Sequence, residues 1–95
     1  MDINFIAKKH FDWVERMGWH DSTTILEKLA LVASEVGEAV NECRGEKPTE
    51  QLPEELADII LRTVDIMELL KLDISLVIAK KMRLNEKNGN RGRLK

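Results

Sequence analysis

Pro53-Glu54-Glu55-Leu56-Ala57-Asp58-Ile59-Ile60-Leu61-Arg62-Thr63-Val64-Asp65-Ile66-Met67-Glu68-Leu69-Leu70-Lys71 is the stretch that decides the fold. Pro53 suits the first turn of a helix, where its missing N–H has no intrahelical partner to lose. Glu54 and Glu55 follow, where the helix dipole favours negative charge. Leu56, Ala57, Ile59, Ile60, Leu61, Val64, Met67 and Leu70 then cover most of a helix circumference. A helix that is apolar nearly all round is covered from several sides. The spacing therefore predicts a central helix over residues 53–71.

Three further helices read outward from it. The first covers about 4–17, with Phe5, Ile6, Lys9, Trp13 and Met17 along a helical stripe and Gly18 as terminator. Trp13 is expected in the core, and His20 in the short connector that follows. The second runs over 24–44, opened by a Thr24/Glu27 capping box and closed by Gly45. Leu29, Ala33, Val36 and Val40 form its apolar stripe. A polar loop with Pro48 leads to the central helix. Asp73 can cap the fourth helix, over 74–86, and Asn88, Gly89, Asn90 and Gly92 read as a tail at about 88–95. The expected fold is one all-α domain, 1–95: a four-helix bundle with an antiparallel central pair.

Composition supports this. Charged residues are 34% of the 95, and Tyr is absent. A chain this short buries a modest core, so association between copies is an expected source of stability. Net charge is −2, which gives no general case for a nucleic-acid polymer as partner. Residues 80–95 are nonetheless basic, either a solvated end or a set of phosphate-binding cations. Cys43 is the one cysteine, so no internal disulfide forms, and it reads as a buried, inert thiol. No apolar run approaches the ~20 residues that span a bilayer, and no secretory h-region is evident. A soluble, cytoplasmic protein without a membrane partner is expected.

The chemistry lies in two acidic pairs. Glu35 and Glu38 are three apart on the second helix, and Glu55 and Asp58 are three apart on the third. Residues at that spacing share a helix face. The short loop makes the two helices antiparallel neighbours, so the pairs can face each other. Four carboxylates at one point repel unless a cation sits among them. Asp58 is the sharpest case, because a carboxylate among Leu56, Ala57, Ile59, Ile60 and Leu61 needs a partner if buried. Surface solvation or ion pairing is the alternative reading of these acids. Oxygen ligands select Mg²⁺, with Mn²⁺ as substitute, over zinc. His10 and His20 lack the spacing of a di-iron Glu-x-x-His motif. Mg²⁺ leaves positions open for phosphate oxygens, so phosphoryl chemistry is expected. Lys81 and Asn85, at i,i+4 on the fourth helix, could reach the same phosphates.

The ordered set Ser34-Glu35-Val36-Gly37-Glu38, Glu55-Leu56-Ala57-Asp58 and Lys81-Met82-Arg83-Leu84-Asn85 resembles the MazG-type all-α nucleoside triphosphate pyrophosphohydrolases. The resemblance runs from about residue 10 to residue 85. It implies hydrolysis of (deoxy)nucleoside triphosphates between the α and β phosphates, releasing a monophosphate and pyrophosphate, as in cleansing of the nucleotide pool. It implies that Glu35, Glu38, Glu55 and Asp58 bind Mg²⁺. Glu38, with Glu35, would be catalytic, taking a proton from the attacking water. Lys81 and Asn85 would contact phosphate or sugar. His10 and Trp19 would form the base pocket, although Trp19 packing on the core is an equal reading. The resemblance also implies a homodimer or homotetramer.

Some relatives carry Tyr one turn beyond the last acid. Here Arg62 stands there, either a phosphate contact or an exposed charge. The arginines Arg91 and Arg93 also come later than the basic run that often follows the last motif. Two other functions fit the residues: a non-enzymatic helical interaction module, and a phosphoribosyl-ATP pyrophosphatase of the same superfamily.

Overall fold

The computed structural model describes residues 2–89 and, among them, holds four α-helices and no strand. They are α1 (Ile3–Arg16), α2 (Ile25–Asn41), α3 (Leu52–Leu69) and α4 (Ile74–Asn88). A single turn of 3-10 helix, Trp19–Ser22, follows α1. Most of the tail expected at 88–95, with Arg91 and Arg93, lies outside the described residues.

Local chemistry sets the helix ends. Asp2 accepts a hydrogen bond from the Phe5 N–H at 2.9 Å and caps α1. Thr24 and Glu27 make the reciprocal capping box, at 3.1 and 3.0 Å. Asp73 accepts from the Leu76 N–H and opens α4. α2 stops at Asn41, short of Arg44, because the chain turns early: the Thr49 N–H donates to the Glu42 carbonyl at 2.9 Å. The Thr49 hydroxyl also donates to the Glu42 carboxylate. α3 ends in a turn where the Leu72 N–H donates to the Met67 carbonyl and Lys71 takes a left-handed φ of 59°. Glycine is the unstrained residue at such a position, and a side chain there costs about 1 kcal/mol.

α3 is the central element, packed against α1, α2 and α4. The fully covered cluster is Ala7 of α1, Val64 of α3 and Ile74 of α4, with Ile3 and Met67 against it. Full burial of a side chain such as Ile74 contributes roughly 1.5–3 kcal/mol. Asn4 ties α1 to the head of α4. Its amide donates to Asp73, and its carbonyl accepts from the Ser75 N–H, each at 3.0 Å.

The α2–α3 pair is antiparallel. Contacts between Glu42 and Thr49, Glu38 and Glu55, and Glu35 and Arg62 step outward from the connecting loop. Among the described residues, α2 packs on α3 alone. Its expected apolar stripe is therefore open: Leu29, Val36 and Val40 are exposed, and only Ala39 of this helix is buried. Phe5 and Trp13 of α1, and Met17 just after it, are exposed as well. The placement of Trp13 in the core is corrected on this ground. Cys43 is likewise exposed, because α2 has already ended when the chain reaches it. The Cα radius of gyration is 15.4 Å, against roughly 12 Å for a compact chain of this length.

Candidate active site

The antiparallel pair brings its acids together. Glu35, Glu55 and Asp58 can each offer one carboxylate oxygen, all within 4.8 Å of one another, a group that could hold a metal ion. Glu38 joins at the edge, exposed and hydrogen-bonded to Glu55. Two carboxyls bond to each other only by sharing a proton. Partial burial, this bond and the charges of Glu38, Glu35 and Asp58 together raise the Glu55 carboxyl above its ordinary value. The neighbouring charges thus disfavour the ionised form of Glu55.

Its unsatisfied atoms point the same way. Glu35 Oε1 accepts from Arg62 Nε at 3.0 Å, but Glu35 Oε2 is buried without a hydrogen-bond partner. Glu55 Oε2 is buried and unpartnered too. Orphaned buried oxygens are uncommon in folded chains and call for an explanation. A hard divalent cation satisfies such a set of oxygens, so these residues fit Mg²⁺ or Mn²⁺.

Beside the cluster lies a cavity of about 470 Å³. One wall is aromatic: His10 and Trp13 from α1, and Trp19 from the 3-10 turn. The His10 and Trp13 rings are 5.7 Å apart, and Trp13 meets Trp19 edge-on at 5.0 Å. The facing wall is one face of α3, where Asp58, Arg62 and Asp65 stand at i, i+4 and i+7. Lys28 adds a cation from α2. The volume falls within the ~300–1,000 Å³ of small-molecule sites. Asp58 links the two features, belonging to both the carboxylate trio and the cavity lining.

Of the residues singled out in the sequence, His10 and Trp19 join Asp58 in this cavity. Lys81 is exposed on α4, and Asn85 is half-buried with its Oδ1 unpartnered. Neither lines the cavity, and α4 does not pack on α2.

Two placements are reversed. Asp58, isolated among aliphatic residues, is exposed, because the helix side it occupies opens on the cavity. Asp65 is the buried acid of α3, at 6% exposure. It is held by His20, whose side chain is 5% exposed rather than out in a loop. His20 Nε2 bonds Asp65 at 2.9 Å, and its Nδ1 bonds Glu15 at 2.7 Å. Burial disfavours the charged imidazole, but these hydrogen bonds and charges outweigh it and raise the His20 pKa. Sequence reasoning missed Asp65 and Lys28. The signal for Asp65 was present, since it stands between Val64 and Ile66, seven residues beyond Asp58.

The site thus combines clustered carboxylates with an aromatic, cation-bearing cavity in an all-α frame. The MazG nucleotide pyrophosphohydrolase domain matches residues 23–91, and the chain belongs to that family. The match takes in both acidic pairs, Lys81 and Asn85, while His10 and Trp19 lie ahead of it. No curated protein and no solved structure matches the chain.

Proposed function

We propose that this chain is a nucleoside triphosphate pyrophosphohydrolase that cleaves (deoxy)nucleoside triphosphates to a monophosphate and pyrophosphate. The observation that carries the reading is the trio Glu35, Glu55 and Asp58, with two buried unpartnered oxygens, beside an aromatic cavity. Family membership supports it.

Glu35, Glu55, Asp58 and Glu38 would hold Mg²⁺, with Mn²⁺ as substitute. Bound there, the metal would neutralise phosphate charge and acidify a water. The chain's own residues do the rest. The aromatic wall of His10 and Trp19 takes the base, which orients the triphosphate along the α3 face towards Asp58. Glu38, exposed at the edge of the cluster, accepts the proton of the attacking water, with Glu35 beside it. As the new phosphorus–oxygen bond forms, the α–β bridge bond breaks and its electron pair leaves with the departing phosphate group. Lys81 and Asn85 serve phosphate or sugar once α4 and the acids are brought together.

Assembly into a homodimer or homotetramer would cover the open faces of α2 and α1 and complete the site. The biological reading is nucleotide-pool cleansing in the cytoplasm, by a single domain over 1–95, with neither a nucleic-acid polymer nor a membrane as partner. Among the described residues, no helix is long and apolar enough to cross a membrane.

A panel of ribo- and deoxynucleoside triphosphates and phosphoribosyl-ATP, assayed for pyrophosphate with Mg²⁺, tests the proposal. Pyrophosphate release from a triphosphate, abolished by Asp58→Ala, is expected. Release from phosphoribosyl-ATP alone would move the chain to that activity. No release from any substrate, with no rise in melting temperature on adding Mg²⁺ and a nonhydrolysable triphosphate, would favour an interaction module, a reading the exposed apolar faces also suit.

A further inference from the structure

Arg62 stands where the carboxylate cluster meets the cavity. Its Nε donates to Glu35 Oε1 at 3.0 Å, across the α2–α3 boundary, and the same residue lines the cavity. The two partners are unequally covered: the Arg62 side chain is 43% exposed and that of Glu35 is 14% exposed. The arginine thus approaches a nearly covered carboxylate from its open side. That approach engages one oxygen and leaves Glu35 Oε2 buried without a partner.

An ion pair with one half-exposed member is weak. A divalent cation among Glu35, Glu55 and Asp58 would compete with the guanidinium for Glu35 and would also repel it. Once displaced, the side chain has one other neighbour that suits it. The cavity it already lines would hold the polyphosphate, and a guanidinium binds phosphate through paired N–H donors. Arg62 lies one turn beyond Asp58, on the same face of α3.

We propose that Arg62 is a displaceable counter-ion that becomes a substrate ligand. In the free protein it neutralises Glu35. Metal binding releases it, and the freed guanidinium then binds the triphosphate. Metal and nucleotide binding are thereby coupled through one side chain. The inference rests on the metal and nucleotide reading above, and its test separates the two.

Mn²⁺ affinity is measured by titration calorimetry on the nucleotide-free protein, for the natural chain and for Arg62→Gln. Removing the competitor is expected to tighten Mn²⁺ by about twofold to fivefold, the range an exposed ion pair can withhold. Affinity for an α,β-methylene triphosphate in saturating Mn²⁺ is expected to fall about tenfold or more in the same variant. Arg62→Lys keeps the charge without the fork. It should restore the natural Mn²⁺ affinity and only part of the nucleotide affinity. A residue that merely supports the fold would not move the two affinities in opposite directions. Unchanged or weaker Mn²⁺ binding by Arg62→Gln, or unchanged nucleotide affinity, overturns the proposal while leaving the metal site standing. Absence of Mn²⁺ binding by the natural chain overturns both.

Discussion

His20 Nε2 lies 2.9 and 3.1 Å from the two carboxylate oxygens of Asp65, while its Nδ1 lies 2.7 Å from Glu15 Oε2. Both ring nitrogens face carboxylates, and both donate only in the imidazolium form. The ring also packs on Phe11, with centroids 4.3 Å apart. One charged side chain therefore joins the 3-10 turn to α1 through Glu15 and to α3 through Asp65.

This pairing makes stability depend on pH. The folded His20 pKa is raised above its unfolded value, so the charged form is favoured by folding. Its contribution is complete below the unfolded pKa of about 6.5 and is lost as pH rises through the folded value. Melting temperature should fall with rising pH across that window. His20→Gln should remove this component of the profile. Asp65→Ala should lower stability by about 2 kcal/mol, since a hydrogen bond to a charged group is lost. A pH profile for His20→Gln that matched the natural chain would contradict the assignment.

Glu55→Gln gives a prediction with two signs. Its carboxylate sits among Glu38, Glu35 and Asp58, and those charges oppose its ionisation. Neutralising it should raise the melting temperature of the metal-free protein at neutral pH. The same change removes a proposed metal ligand, so the rise on adding Mg²⁺ should vanish. For the natural chain that rise corresponds to about 2.7 kcal/mol at a hundredfold excess over Kd. Thermal melts with chelator and with Mg²⁺ read both arms. A variant destabilised without metal would contradict the repulsion argument.

Trp19 offers a test of the cavity. It is 51% exposed and meets Trp13 edge-on at the aromatic wall. Stacking of a base on an aromatic ring contributes roughly 1–3 kcal/mol, so Trp19→Ala should raise KM about tenfold or more with kcat little changed. If Trp19 only packs against its neighbours, the substitution would lower the melting temperature and leave KM alone. Steady-state kinetics alongside a thermal melt separate the two.

Much of this was legible in the chain. Pro53 and the aliphatic positions after it mark α3 as central, and Thr24, Glu27 and Asp73 fix helix starts by local hydrogen bonds. The i,i+3 acids declare themselves because helix geometry alone places them on one face. The burial of Asp65 was not legible, nor was the exposure of Asp58. Which side of α3 is covered depends on His20, 45 residues away, and on where α1 lies. Periodicity says that a stripe exists on α2, but not what covers it. Leu29, Val36 and Val40 stay about half exposed, although α2 packs on α3.

That open stripe carries the last prediction. Leu29, Val36 and Val40 fall on one side of α2 at spacings of seven and four, and Leu56 and Ile60 of α3 are exposed as well. Exposed aliphatic residues aligned along one helix mark an interaction surface more than chance scatter does. The proposed occupant is a second copy of the chain. Val40→Glu would place a carboxylate in that contact, where burial without a partner is unfavourable by several kcal/mol. Sedimentation at micromolar concentration should find the natural chain as a dimer or tetramer and Val40→Glu as a monomer with a lower melting temperature. Val40 lies two residues from Glu38, so pyrophosphate release should fall with assembly rather than with the local charge. Activity that recovers as the concentration of Val40→Glu is raised would carry that distinction. A natural chain that sediments as a monomer while fully active would exclude assembly as a requirement of the site.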